Sequence, residues 1–421
     1  MRSFCLKKNE VFEFIGSGKI SVKTGLLEIS CSSFSAGKEF ELPSGKKLTV
    51  MAVEDSEVET SIPEDCVKKS EDKLPEIDFA ALFSKIDSLI KPGKLFKIMV
   101  LGESTSGKTW FSTILANKLL ERSLKTSVLD CDIAQSEIAL PGTMALAIPD
   151  KTVSFLAQAK QSVMSFVGAH SFGSHLLPSL SAMALLQRKA ENISDVLIID
   201  TTSWVHGDCG RAIKKAKMDI FNSDIYVLLQ NGNELEHLVK HLPASRIFRN
   251  PALRKNLPAT PQQQIEKRSF REARLVNYFK NSRVIEIPFS QLFSERSYFL
   301  SGSHVNLDGS LWAEKLSGWE GTLVFTSGPI LPEMVKSWPK DLGRIINVIA
   351  GEEKGLVAGL TDGDQNFLGL CRIEEFDFLK NILRMKTPLA CDTKNIKGIQ
   401  FGSLKISEKY LESGFIEPGR F

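Results

Sequence analysis

The 421 residues carry 43% hydrophobic and 24% charged side chains at a formal net charge of +3, which excludes a disordered, collagen-like or strongly polyionic chain. A chain of this length exceeds one typical core and predicts about two or three domains. No apolar run approaches the ~18 residues of a membrane span, and MRSFCLKKNEVFEF lacks the apolar core of a signal peptide, so the expectation is a soluble intracellular protein with no membrane partner.

Residues 1–70 alternate short strand-like runs (VFEFIG, KISVKTG, LLEISCSS, KEFELPSGKK, LTVMAVED) with turn residues, which predicts an all-β sandwich domain. The charged, Pro-containing PEDCVKKSEDKLPE reads as a linker, and IDFAALFSKIDSLIK has helical apolar spacing, so residues 71–95 form the linker and a lead-in helix. The seven cysteines, at 5, 31, 66, 131, 209, 371 and 391, are scattered and lack a C-x-x-C pair; reduced thiols are expected rather than a disulfide or zinc framework.

Within residues 96–290, apolar β-branched runs at 96–101, 126–131, 196–200, 224–230 and 283–288 are separated by intervals long enough for crossover helices, which predicts a three-layer α/β/α domain. Its first strand runs into GESTSGKT, a match to G-x-x-x-x-G-K-[ST] followed by a helical pattern. Such a loop cradles phosphate because glycines permit tight turns and the next helix adds its positive dipole end. Gly102, Glu103, Ser104, Thr105, Ser106, Gly107, Lys108, Thr109 and Trp110 are therefore the candidate nucleotide-binding residues, Lys108 for the β- and γ-phosphates and Thr109 for Mg²⁺.

Ligands in such sheets lie beyond the strands' carboxyl ends. There, VLDCDIAQ places Asp130 and Asp132 two residues apart, an acid pair able to hold Mg²⁺ or accept a proton, and VLIIDTTSW brings Asp200 to the same rim. An N-K-x-D motif is absent, which argues against a GTPase, and LSGWE departs from the ABC signature; a phosphoryl transferase remains. From Arg246 to Arg283 ten basic residues face two acids, and Lys267, Arg271 and Arg274 share one helical stripe with Arg268 a quarter turn off. That stripe suits a lid over phosphates or a nucleic-acid backbone. His237 and His241 have metal-pair spacing without a third ligand and read as surface residues.

Residues 291–421 read as a small β-rich domain, with GLVAGLTDGDQNFLGLCRIEEFDFLKNILRMKTPL predicting three strands with turns at TDGDQN and EEFDF. Asp362, Asp364 and Asn366 hint at a calcium loop, but Phe367 stands where glycine is needed, and the segment reads as a turn.

GESTSGKT, LDCDIAQSEIALPGT, FVGAHSFGSH, DTTSWVHGDCG and KRSFREARLVNYF occur in an order that resembles the RNA-processing polynucleotide 5′-hydroxyl kinases; KGIQFGSLKI and GLTDGDQNFLGLCRIEEFDF look more like the nucleolar and prokaryotic branch. The resemblance spans essentially the whole chain. It implies ATP and Mg²⁺ as cofactors, transfer of the γ-phosphate to the 5′-hydroxyl of RNA or DNA, and partnership with an RNA-processing nuclease or ligase. It implies Lys108, Asp132, Arg271 and Arg274 as catalytic groups, with Thr109, Asp132 and Asp200 at the metal. Gln135, Thr201, Trp204 and Arg268 would bind substrate, Thr201 and Trp204 as a clasp on the 5′ end. The compartment would be the cytoplasm in a prokaryote and the nucleolus or nucleus in a eukaryote. Ala134, Ser203 and Phe172 replace the family's glycine, glycine and proline, removing no reactive group but adding side chains where backbone meets substrate. An ATP-bound scaffold subunit of an RNA-processing complex is the rival reading, and a small-molecule kinase is a third.

Overall fold

Parallel strands covered by helices on both faces must be apolar along their whole length, and the strands Phe96–Gly102, Thr126–Asp130, Val196–Asp200 and Ile225–Leu229 are buried almost without interruption. The computed structural model describes residues 1–29, 32–70, 77–253, 261–316, 318 and 321–421. Part of the expected linker (71–76), Arg254, Lys255, Cys31 and most of LSGWE lie outside the described residues. The chain forms two compact units, one of residues 1–139, 144–163 and 183–270, the other of residues 140–143, 164–182 and 271–421.

In the first unit, residues 2–70 form an antiparallel seven-stranded sheet around Phe14, Ile20, Leu27, Val50 and Val58, all fully buried. Val67–Ser70, expected in the linker, instead pairs with Val11–Phe14 as a strand of that sheet. Its alternation was masked by charge: Lys68 and Lys69 are exposed while Val67 and Ser70 are half-buried. Asp78 then caps the helix Phe79–Leu89 by accepting from the Ala81 amide at 2.9 Å.

The central sheet runs in the order Gln161–Phe166, Thr143–Ile148, Thr126–Asp130, Val196–Asp200, Phe96–Gly102, Ile225–Leu229, Ile247–Asn250. The molecule is thus a three-layer α/β/α P-loop domain with flanking β domains. Two differences from the sequence reading concern this sheet. Thr143–Ile148 pairs antiparallel with Thr126–Asp130 and, like Gln161–Phe166 and Ile247–Asn250, escaped prediction, because Met and Ala weaken the β signal of TMALAI, polar residues interrupt QSVMSF, and the last strand has only four residues. Arg283–Pro288 is a strand, but it belongs to the second unit, antiparallel to Ile382–Thr387.

The second unit has a seven-stranded sheet built on Leu356–Thr361, Phe367–Asp377, Ile382–Thr387 and Gly398–Ile406, and a four-stranded sheet ending in the parallel pair Gly321–Thr326 and Arg344–Ile349. Phe289, Phe299, Phe325 and Phe376 fill its core, with the Phe299 and Phe376 rings stacked at 4.5 Å between centroids. The turn expected at EEFDF falls later: the strand continues through Glu374, Glu375 and Phe376, and the chain reverses around Leu379, which is 98% exposed, with Asn381 at a φ of 55°. TDGDQN is a turn, where Asp362 accepts the amides of Asp364 and Asn366, each at 2.9 Å. No described helix is long and apolar enough to cross a membrane, and the six described cysteines are free thiols.

Candidate active site

Phe96–Gly102 lies between two parallel neighbours, so its carboxyl end opens into the crevice where such sheets hold ligands. Thr105 and Gly107 take φ values of 62° and 90°, and Gly107 leads into the helix Lys108–Glu121. Side chains at the glycines would not fit: a Cβ on Gly102 would collide with the Ser106 hydroxyl, and one on Gly107 would lie 2.9 Å from Cβ of Leu253. Lys108 Nζ donates to the carbonyl oxygen of Glu103 at 2.7 Å. Burial lowers the Lys108 pKa, opposed by the carboxylates of Asp200 and Asp132. Ser104 and Trp110 are half-buried, Thr105 is exposed, and Glu103 pairs with Nε2 of His206, a partner the sequence reading missed.

Register places Asp200 beside both Val100 and Asp130. Burial and Asp130 push the Asp200 pKa up to about 7, opposed by the neighbouring Thr109 hydroxyl and Lys108. Asp200 Oδ1 is buried with no hydrogen-bond partner among the described residues. A hydroxyl beside a buried carboxylate with an unclaimed oxygen fits Mg²⁺, which takes one or two protein ligands and completes its shell with phosphate and water. Among the described residues no group of three or more His, Cys, Asp or Glu side chains is arranged to hold a metal ion.

The expected acid pair divides its work. Asp130 is buried and committed to its own loop, accepting from the Asp132 amide at 3.0 Å, the Ser136 hydroxyl at 2.7 Å and the Glu137 amide at 3.1 Å. Burial raises its pKa to about 6, with Asp132 adding to the rise. It is not a group open to the rim, which corrects the paired reading. Asp132 is half-buried, oriented by the amides of Ala134 and Gln135 on Oδ1 at 2.9 and 3.0 Å.

The segment after Asp200 separates buried from exposed. Thr201 is buried; its hydroxyl donates to the Val100 carbonyl at 2.7 Å and accepts from Lys214 Nζ at 3.0 Å, so the side chain ties two strands together rather than facing outward. Trp204 is 42% exposed, with its indole against Gly210 of the helix Gly207–Phe221. Lys214 and Lys217 of that helix are fully buried and were missed in the sequence. Lys214 also donates to the Thr202 carbonyl, and burial drives its pKa well below the ordinary value. The available signal was the stripe Gly210, Lys214, Lys217, Phe221 at helical spacing on the buried face.

The basic helix spans Pro261–Phe279. Lys267, Arg271 and Arg274 share its half-buried face and Arg268 is exposed. In the second unit, Arg271 makes a bidentate pair with Glu412 at 2.6 and 3.0 Å, the two side chains 12% and 7% exposed. Neither histidine of the 237/241 pair is set up as a ligand: His237 bonds the Val205 carbonyl at 3.0 Å and stacks on His206, and His241 is exposed.

Loop, strand-end acid and sheet order define a P-loop nucleotide-binding protein. Residues 102–281 match the family model described as mRNA cleavage and polyadenylation factor CLP1 P-loop. A polyribonucleotide 5′-hydroxyl-kinase of Methanocaldococcus jannaschii is 29% identical over 351 residues, covering 82% of this chain and 95% of that relative. One from Thermococcus kodakarensis is 27% identical over 334 residues, covering 79% and 94%. A solved Clp1p–Pcf11p complex superposes its Clp1p chain with a TM-score of 0.64 at 14% identity over 96% of this chain and 97% of that one, a likeness of fold.

Proposed function

We propose that the protein is an ATP- and Mg²⁺-dependent kinase that transfers the γ-phosphate to the 5′-hydroxyl of RNA. The observation that carries this reading is the Thr109–Asp200 pair with its unclaimed buried oxygen, beside Lys108 and four residues before an exposed indole. Thr109 and Asp200, with Asp132 nearby, would hold Mg²⁺, which neutralises charge between the β- and γ-phosphates when bound. Lys108 exchanges the Glu103 carbonyl for phosphate oxygens. Asp132, its Oδ1 fixed by two amides, accepts the 5′-hydroxyl proton or aims that hydroxyl at the phosphorus. Trp204 stacks on the terminal base, Gln135 adds a polar contact beside Asp132, and Thr201 holds the strand end that carries the indole. Arg274 and Arg268 would be the lid cations, while Arg271 is held in its ion pair with Glu412. The archaeal relatives' names agree with this activity.

The second reading, an ATP-loaded scaffold, rests on Ala134 and Ser203, which put side chains where backbone would approach the substrate. Incubating the protein with labelled ATP and 5′-hydroxyl RNA, DNA or mononucleoside 3′-phosphates, with Lys108→Ala as control, separates the readings. Label on RNA that depends on Lys108 supports the kinase; ATP retained unspent alongside RNA supports the scaffold; label on the mononucleotides alone sinks both.

A further inference from the structure

At the amino end of the phosphate-loop strand, opposite the reacting edge, a cavity of about 290 Å³ is lined by Lys91, Lys94, Lys97 and Arg246 with Asp224 as its one carboxylate. We propose that this cavity binds the phosphodiester backbone of the RNA substrate downstream of its reacting 5′ end, an inference that rests on the kinase reading above.

One carboxylate offsets only one of the four cations. Asp224 accepts the backbone amide of Lys97 at 2.8 Å and returns its own amide to the Lys97 carbonyl at 2.8 Å, a closed pair that fixes the strand entrance. Arg246 is held rigidly at the wall by Asn222 Oδ1 at 2.9 Å and the Ser223 carbonyl, its guanidinium 5.6 Å from the Tyr226 ring centroid. Its Nε is buried with no partner among the described residues. Lys97 is half-buried, and burial holds its pKa below the ordinary value despite Asp224 and Glu191. Lys91 and Lys94 are exposed at the mouth, and among the described residues no carboxylate lies in ion-pair contact with either. Partly desolvated cations crowded in one concavity repel each other, and an entering anion relieves that repulsion.

The lining also selects the kind of anion. Leu89 and Leu95 form the apolar wall and the only aromatic lining residue, Phe96, is buried in the sheet, so nothing is placed to stack a base. Contacts of charge without stacking read a backbone and not a sequence. The strand between the cavity and the phosphate loop has seven residues, roughly 20 Å at ~3.3 Å each. A single RNA strand cannot pass through the core and must run round the surface, a path longer than that distance. Short substrates must therefore ignore the cavity.

The test is the double variant Lys91→Gln/Lys94→Gln, which leaves the structural Lys97 and Arg246 in place, assayed on 5′-hydroxyl RNA of 4 and 20 nucleotides. The expected result is a 20-mer KM raised roughly 3- to 10-fold, with a log–log salt slope shallower by about 1.4, or ~0.7 per cation removed. The KM values for the 4-mer and for ATP, and kcat, should stay at wild type. An unchanged 20-mer KM and salt slope, or equal loss on both lengths, overturns the proposal. Equilibrium binding of fluorescent 20-mer and 4-mer RNA provides the same comparison without turnover, so a protein that binds in this length-dependent way but never phosphorylates RNA defeats the kinase reading and leaves the cavity assigned. Displacement of the 20-mer by poly-glutamate as effectively as by unlabelled RNA would assign the cavity to an acidic peptide and overturn the proposal.

Discussion

Gly210→Ala is the substitution that isolates what the Trp204 indole does. Gly210 is buried in the first turns of the helix Gly207–Phe221, and a Cβ there would lie 2.8 Å from Cδ1 and 2.9 Å from Nε1 of Trp204, too close for both to stay. The indole is 42% exposed, so it can swing away while the helix stays in place. Replacing glycine by alanine inside a helix gains about 0.8–1 kcal/mol, while the displaced ring gives back part of that in exposed apolar surface. The net stability change should be small, within about 3 °C in Tm. Loss of one base stack costs about 1–3 kcal/mol, or roughly 5- to 150-fold in kcat/KM for RNA. Trp204→Ala should lose the same activity, but it also removes a little over half of an indole's ~200 Å² burial, an upper estimate of about 3 kcal/mol in stability. Melting temperature, ATP affinity and kcat/KM for RNA measured on both variants decide the question. A Gly210→Ala protein with wild-type kcat/KM for RNA, or one that loses ATP affinity in parallel, would refute the reasoning.

Other expectations follow from the same geometry. Asp132→Asn should abolish transfer and leave ATP binding intact, since an amide orients a hydroxyl but takes no proton at neutral pH, whereas Asp200→Asn should weaken the Mg²⁺ dependence of ATP binding; the reverse pattern in a nucleotide titration would move the base to the other strand. Arg271→Ala leaves Glu412, 7% exposed, without its bidentate partner and should cost about 3–5 kcal/mol, with Arg271→Ala/Glu412→Ala recovering most of it; a wild-type denaturation midpoint in the single variant would refute this. Lys214 is held by burial well below its ordinary pKa, so between that folded value and the unfolded 10.5 the unfolded chain binds more protons and stability rises with pH. Lys214→Met removes that rise, and Tm followed from pH 8 to 10 should climb less in the variant than in the wild type; parallel curves would mean that Lys214 keeps its charge when buried.

The parts of the site that sequence made legible are those written in adjacent residues. The phosphate loop, the apolar strands ending at Asp130 and Asp200, and the basic stripe of Lys267, Arg271 and Arg274 are local patterns whose spacing fixes the strand ends and the helix face, though not that Asp130 turns into its own loop. What escaped the reading is written between distant residues. His206 finds Glu103 across 103 positions and Arg271 finds Glu412 across 141, so no spacing rule could pair them. Arg283–Pro288 was legible as a strand but not as a member of one sheet or the other, because a short apolar run carries no information about its partner. Lys214 is the instructive middle case, since it contacts Thr201 only 13 residues away and lies on a stripe with Gly210 and Phe221. It was overlooked because a lysine on a helix is ordinarily a solvated residue. Its burial makes sense only once the Thr201 hydroxyl and the Thr202 carbonyl are seen to need a donor at the strand end: Thr201 spends its own proton on Val100, so the Lys214 amino group is what satisfies the oxygens that remain.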